Sequence, residues 1–381
     1  MEIELKKLGE ITTGNTPSKK DEKYWDSADI CFVKPDGIAD EGITLISDSS
    51  EYISENARGK ARVVSKDAVF VTCIGSIGKV GIADYGDYAF NQQINVIEPN
   101  EKVLPRYLAY NLLYSKPRLV AIANAPVVPI INKTQFGEFI VNIEEDRTKQ
   151  AKIISVLDKL TGIIDSREKE LESFDELIKA RFVELFGDPV SNSKELPIAT
   201  LPELGEFGRG VSKHRPRNDP KLLGGDYPLI QTGDVAAAEL YITDYSATYS
   251  ELGLKQSKMW DKGTLCITIA ANIAKTAILT FDACFPDSVV GFMANERTSN
   301  IFIHYWFSFF QAILESQAPE SAQKNINLKI LSELKVINPS KEEQVEFEEF
   351  VKQVDKSKVV VQKALNETQT LFDSLMQEYF G

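Results

Sequence analysis

The chain contains a second copy of itself, and that duplication constrains its fold more than any other feature. Leu8-Gly9-Glu10 followed by Gly14 is answered by Leu204-Gly205-Glu206 followed by Gly210. Phe32-Val33-Lys34 is answered by Leu229-Ile230-Gln231, and the run Asp67 to Thr72 by Gly263 to Thr268. The small-residue turn Gly75-Ser76-Ile77-Gly78-Lys79 is answered by Ala271-Asn272-Ile273-Ala274-Lys275. Ile131-Asn132 returns as Ile326-Asn327, Gln150 as Gln344, and Phe186-Gly187 as Phe380-Gly381. The pairs keep their order and a nearly constant offset, which chance does not give. Whatever one half folds into, the other half must also fold into.

Each copy has a mixed part and a helical part. Runs rich in Val, Ile, Phe and Thr, bounded by Gly, Asp and Asn, predict strands at 69–74, 93–97 and 265–269. Helices are expected at 107–114 and 302–314. From about Thr148 to Leu185 there is no proline, and only Gly162 interrupts the helix formers. Along it Ile153, Leu157, Leu160, Ile164, Arg167, Leu171, Phe174, Ile178, Arg181 and Leu185 step by four and three. The matching positions in copy two are Phe347, Val351, Val354, Lys358, Val361, Leu365, Thr368, Phe372, Leu375 and Tyr379. Such a stripe predicts two helices packed along their lengths, and it is longer than an ordinary core helix needs. Alone, either helix would leave its seam in water. The charged members do not coincide: Arg167 answers Val361, Arg181 answers Leu375, and Lys358 answers Ile164.

The expected fold is therefore α+β: two tandem-repeat mixed α/β domains, at 1–144 and 188–338, separated by long helices at 145–187 and 339–381 that form an antiparallel coiled coil. A helix of this length extends roughly 55 Å at about 1.5 Å per residue. Two related domains on such a rod act as a caliper, and duplex DNA is a regular ligand that carries two sites at fixed spacing.

Composition sets bounds on this reading. The 381 residues suffice for two or three domains with full cores, and a hydrophobic share of 43% argues for a folded chain. No run of about 18 apolar residues exists to cross a membrane, and Met1 to Glu10 shows no apolar signal core. Cys31, Cys73, Cys266 and Cys284 are far apart, and they are expected to be buried thiols in a reducing cytosol. With only His214 and His304, a histidine metal site is not expected. The net charge of −13 opposes phosphate binding taken over the whole chain, but DNA responds to a local field.

A search for an active site finds none. There is no phosphate loop and no dinucleotide fingerprint; Phe207-Gly208-Arg209-Gly210 is too short for one. Pro35-Asp36 with Glu41-Gly42-Ile43 lacks the lysine that a nuclease cluster carries after its glutamate, and Pro286-Asp287 with Glu296-Arg297-Thr298 fails likewise. Asn338-Pro339-Ser340 lacks the aromatic that a methyltransferase uses to hold a flipped base. His304, on an aromatic helix, is expected to be a packed core histidine.

Candidate DNA contacts are spread out. Arg209, Lys213, His214, Arg215 and Arg217 form a basic loop that could meet phosphates or guanine edges, or could simply be solvated. Lys79 and Lys275 follow the small-residue turn in both copies, where backbone could approach a phosphate; a purely geometric turn is the alternative. Lys34 and Gln231 correspond after a strand, as do Gln92 and Ser288, and long polar side chains there could reach base edges. A competing reading is a coiled-coil scaffold that binds proteins and never touches DNA, although such a scaffold has no reason to exchange Lys34 for Gln231.

The repeat, the motifs and the long helices together resemble the specificity subunit of type I restriction-modification systems. The stretches that carry the resemblance begin with Lys66-Asp67-Ala68-Val69-Phe70-Val71, leading to Gly75-Ser76-Ile77-Gly78-Lys79-Val80-Gly81-Ile82. Phe90-Asn91-Gln92-Gln93-Ile94 and Ile131-Asn132 follow, and Lys149-Gln150-Ala151-Lys152-Ile153-Ile154 opens the long helix. The family's usual Pro-Pro before that helix is absent from Ile143 to Gln150, while Asn338-Pro339-Ser340-Lys341-Glu342-Glu343-Gln344 keeps more of the pattern. The resemblance implies that each mixed domain is a target recognition domain reading half of a bipartite double-stranded DNA site. It implies that the helices set the gap and dock two methyltransferase subunits, and that motor-nuclease restriction subunits join them. S-adenosylmethionine, ATP and magnesium would then belong to those partners. This chain would be cytoplasmic and non-catalytic, with no cofactor or metal of its own. The partners would also neutralise most of the DNA phosphates, which accommodates the acidic balance.

Overall fold

In the computed structural model, residues 1–123, 128–270, 272–317 and 326–381 are described. The chain divides into two units: Met1–Glu168 with Gln362–Gly381, and Lys169–Val361.

The first unit is built on a five-stranded sheet ordered Gly9–Thr13, Ile94–Pro99, Val69–Thr72, Val80–Ala83, Ile43–Ile46. Its neighbours are antiparallel except Ile43–Ile46, which runs parallel to Val80–Ala83. A four-stranded sheet follows the order Tyr52–Ile53, Ile30–Val33, Asp87–Phe90, Val63–Ser65, with its central pair parallel. Glu2–Glu4 pairs with Ile140–Asn142, which ties the N-terminus to the segment before the first long helix.

The second unit repeats this order strand for strand. Its five-stranded sheet runs Gly205–Arg209, Val289–Ala294, Leu265–Thr268, Thr276–Leu279, Tyr241–Ile242, and the last pair is again parallel. Its four-stranded sheet runs Ala247–Tyr249, Leu223–Leu229, Ala283–Cys284, Met259–Trp260, and Ile198–Thr200 pairs with Lys335–Ile337.

The repeated residues are the ones this frame needs. A Cβ on Gly9 would stand 2.2 Å from the Glu98 carbonyl oxygen, and one on Gly205 would stand 2.3 Å from that of Met293. Gly14 and Gly210 press just as closely, 2.2 Å from the Asn91 oxygen and 2.3 Å from the Pro286 oxygen. In the hairpin turn, Thr72 Oγ1 accepts from the Lys79 amide at 3.0 Å, and Thr268 Oγ1 from the Lys275 amide at 3.1 Å. Ala271, at the start of the second turn, lies outside the described residues. The Ile131 amide donates to Cys73 and the Ile326 amide to Ile269, both at 2.9 Å. The asparagines that follow each cap a short helix: Asn132 accepts from the Gln135 amide at 2.9 Å, and Asn327 from the Ile330 amide at 3.0 Å.

The long helices are Arg147–Phe186 and Lys341–Phe380, 40 residues each. In the first unit the start of one meets the end of the other. Ile153 and Leu157 share a core with Phe372, Leu375, Met376, Tyr379 and Phe380, packed on Tyr107 and Tyr110 of the helix Pro105–Tyr114. In the second unit Phe174, Ile178, Phe182 and Phe186 share a core with Phe347, Val351 and Val354, packed on Phe302 and Trp306 of Asn300–Gln317. Start against end in both units is antiparallel pairing. Every stripe position, Leu160, Ile164, Leu171, Val361 and Leu365 included, is buried or half-buried.

The structure adds Phe182 and Met376, which the stripe omits. Each is buried because the end of a long helix packs both on its partner and on a sheet-domain helix, and so needs a wider apolar face than a two-helix seam. The Phe182 ring stacks on Phe302 with centroids 5.4 Å apart.

All four cysteines are free; Cys73, Cys266 and Cys284 are buried. Cys31 departs from the expected burial: it is half-exposed on the strand Ile30–Val33, beside the short Tyr52–Ile53. No helix among the described residues is long and apolar enough to cross a membrane.

Candidate nucleic-acid interface

In the first unit, three loops converge because Gly14 lets one backbone lie on another. The Asn15 amide donates to the Phe90 carbonyl at 3.0 Å, and the Asn91 amide to Val33 at 3.2 Å. This brings the loop after Gly9–Thr13, the loop after Asp87–Phe90 and Lys34 together. Thr16 Oγ1 donates to Gln92 Oε1 at 3.0 Å, leaving the Gln92 amide nitrogen on an exposed side chain. Asn91 is buried beneath it and braces Gln93 through two hydrogen bonds, 2.8 and 3.0 Å. Lys34 pairs with Glu51, which also takes Lys19 at 3.5 Å. Lys34, then Lys19, hold the Glu51 carboxyl below its ordinary range.

The second unit places a longer, more basic loop at the same point. Arg209 ends the strand Gly205–Arg209, exposed, and leads into Lys213–Arg217. Gln256 Oε1 accepts from the backbone amides of Lys213 at 2.7 Å and His214 at 3.1 Å, which fixes the loop's path. His214 Nε2 lies 3.1 Å from Asp219 Oδ2. Arg215 donates to the carbonyls of Ser212 and His214 and reaches Asp287 at 3.3 Å; Arg217 pairs with the other Asp287 oxygen. One carboxylate thus organises two exposed guanidinium groups, at the position where the first unit has Gln92. Ser288, which the sequence sets against Gln92, matches Gln93 instead, because the Cys73 and Ile269 amides donate to the Gln93 and Ser288 carbonyls. Gln231 is exposed, and its amide donates to Asp234 at the start of Thr232–Ala237, as Lys34 stands before Pro35–Gly37.

The two turn lysines do not join these clusters. Lys79 is almost fully covered: its Nζ lies 3.0 Å from Asp40 and 3.4 Å from the Pro35 carbonyl. Lys275 is exposed and lines a cavity of about 280 Å³ with Asp175, Glu239, His304, Asp355 and Lys358. His304, expected in the packed core, stands at that cavity's wall. It is hydrogen-bonded to Thr276 at 2.9 Å, and desolvation pushes its imidazole down to about 4.

Sequence reasoning missed Thr16, Lys19 and Gln256, and it weighed Asp287 only as part of a nuclease cluster, not as the partner of Arg215 and Arg217. Only Lys19, in the doublet Lys19-Lys20, carried a local signal; the others matter through contacts that no spacing encodes. The arrangement offers cations, amides and hydroxyls on exposed loops above rigid sheets, which suits contact with phosphates and base edges. Among the described residues no group of His, Cys, Asp and Glu is placed to hold a metal ion.

Comparison with known proteins gives a consistent picture. A family model described as the type I restriction modification DNA specificity domain matches residues 1–173 and again 199–368. The chain is 25% identical, over 329 residues, to a putative type I restriction enzyme MjaX specificity subunit of Methanocaldococcus jannaschii, spanning 80% of this chain and 75% of that protein. It is 27% identical over 273 residues to the MjaIX specificity subunit of the same organism, spanning 67% of this chain and 62% of that one. Among solved structures, the S subunit of a type I restriction-modification system from M. genitalium superposes with a TM-score of 0.60 at 15% identity, covering 100% of this chain and 96% of that one. A chain from a structure of type I complex assembly and conformational transition gives 0.62 at 16% identity, covering 100% and 97%. These two likenesses are of fold.

Proposed function

Because the chain belongs to the family of type I restriction-modification DNA specificity domains, and so is the DNA-recognition subunit of such a system, we propose how its parts divide the work. Residues 1–144 and 188–338 each read one half of a bipartite site on duplex DNA. Residues 145–187 and 339–381 form the spacer that sets the gap between half-sites and docks two methyltransferase subunits, to which motor-nuclease subunits add. S-adenosylmethionine, ATP and magnesium serve the partners' chemistry; this chain supplies recognition, in the cytoplasm.

One observation carries this reading: two sheet frames of the same strand order present different polar side chains at matching places. Lys34 stands where Gln231 does, and Asn91-Gln92 where Pro286-Asp287 do. Identical frames with different tips are what reading two different half-sites requires. In the first unit Gln92 and Lys34 are the base-edge candidates, with Lys19 on phosphate. In the second, Arg209, Lys213, Arg215, Arg217 and Gln231 take those roles; Asp287 holds Arg215 and Arg217 as paired donors, the geometry that suits a guanine edge or adjacent phosphates. Lys79 is committed to Asp40 and serves as a brace unless that pair opens.

The deciding experiment maps methylated adenines across the source genome with this gene intact and deleted. A motif of two short half-sites at fixed spacing should vanish on deletion. An unchanged methylation map would overturn the reading.

A further inference from the structure

The junction between the second sheet domain and its stretch of the helix pair holds a charge that the seam does not call for. Lys358 occupies an apolar stripe position, answering Ile164, yet it is only 8% exposed. Its stem fills the seam while its ammonium reaches out to carboxylates of two other elements. Asp175 of the first long helix pairs with Nζ, and Glu239, just before Tyr241–Ile242, lies 3.1 Å away. Both carboxylates remain largely in water, so the group is held by direction more than by energy. Burial pulls the Lys358 ammonium down and the two carboxylates outweigh it, leaving its pKa above the ordinary lysine value.

The first unit closes the corresponding junction with other chemistry. There Ile164 keeps the seam apolar and lines a cavity of about 240 Å³ with Tyr110 and Phe372. The polar tie is Arg106 Nε to Asp158 Oδ1 at 2.9 Å, with Tyr110 donating to the same oxygen at 2.6 Å. By the repeat, Asp158 answers Lys352 and Asp175 answers Gln369. Neither tie can be rebuilt from the other copy's residues.

We propose that Lys358, Asp175 and Glu239 form a positioning lock that seats the second recognition domain on the helices, that Arg106, Asp158 and Tyr110 form the first domain's lock, and that the two are not interchangeable. Apolar contacts alone tolerate sliding, because any similar packing satisfies them; only one seating brings both carboxylates onto one ammonium. The proposal rests on the DNA-reading assignment above, since seating is read out as the gap between half-sites.

The test uses the chain assembled with its methyltransferase subunits, and duplexes carrying the mapped site with its native gap or with one base pair more. Wild-type chain should methylate the native-gap duplex preferentially; if it methylates neither, the DNA-reading assignment falls and the lock falls with it. Glu239→Gln and Lys358→Met should each lower the preference for the native gap by about fivefold, with half-site sequences unchanged. Lys358→Arg, which keeps the charge, should stay near wild type. Methionine suits the seam, and Glu239 is exposed, so neither change threatens folding. Native-gap preference retained in Glu239→Gln or Lys358→Met, or lost equally in Lys358→Arg, would overturn the lock.

Discussion

The glutamine at the head of each long helix shows how one repeated residue can fasten two elements. Gln150 is fully buried; its Oε1 accepts from the Leu104 amide at 2.8 Å, and its Nε2 donates to Lys102 at 3.0 Å and Glu144 at 2.7 Å. Gln344 is also fully buried; it accepts from Thr298 Oγ1 at 3.1 Å and donates to Arg297 at 3.0 Å and Pro339 at 3.1 Å. Alanine in either place removes three hydrogen bonds at once, leaving an amide or hydroxyl donor and two carbonyls in partly buried surroundings without their partner. Gln150→Ala and Gln344→Ala should each cost about 1–3 kcal/mol, read as a fall in the urea midpoint; an unchanged midpoint would show that water replaces the amide. His304 supplies a pH effect. Its imidazole titrates near 6.5 when unfolded and near 4 in the fold, chiefly through desolvation and further through the Lys358 charge. Between those values the unfolded chain holds the extra proton. The stability contributed by neutral His304 is therefore complete above about pH 6.5 and is lost as pH falls towards about 4. His304→Gln should flatten the decline of stability across that window, and parallel pH profiles for the two proteins would count against it.

At the scale of elements, the long helices carry two different packing problems. Midway, Leu160, Ile164 and Leu171 follow the four-three rhythm of a two-helix seam. Towards its end, the first helix buries Ile178, Phe182 and Phe186 in steps of four, because the Asn300–Gln317 helix covers it from another side. The ends are therefore buried in a domain core, whereas midway the contact with the second sheet domain is a polar tie, Lys358 to Glu239. If the middle acts as a ruler, adding one heptad to each helix at matched positions around Arg167 and Val361 preserves the stripe. The added rise of roughly 10 Å at about 1.5 Å per residue should lengthen the half-site gap by up to about three base pairs. Four added residues should break the register and abolish methylation. An active heptad variant whose methylated motif keeps its old gap would show that the helices do not set the spacing.

At the scale of the molecule, duplication means that each unit owns a complete set of sheets. Independent frames should read independently. Exchanging residues 195–338 for the equivalent segment of a relative should change one half of the methylated site and leave the other alone, provided the incoming segment keeps a carboxylate at Glu239 for Lys358. Genome-wide methylation mapping gives the answer directly, and a change in both halves would exclude independent modules.

The amino-acid order alone settled what is periodic or repeated: the duplication, the strand cores, the glycines that let backbones touch, and the four-three stripe. These are legible because burial writes itself into the chain at a fixed period, so a residue's own neighbours reveal its environment. The clusters on the loops were not legible. Asp287 meets Arg215 across 72 residues, Thr16 meets Gln92 across 76, and Lys358 meets Glu239 across 119. No period links such partners, so Lys79 and Lys275 looked equivalent in sequence, whereas the fold gives one to Asp40 and the other to a cavity wall. Polar side chains at loop tips find partners only after the sheets have brought the loops together, and that step belongs to the tertiary structure.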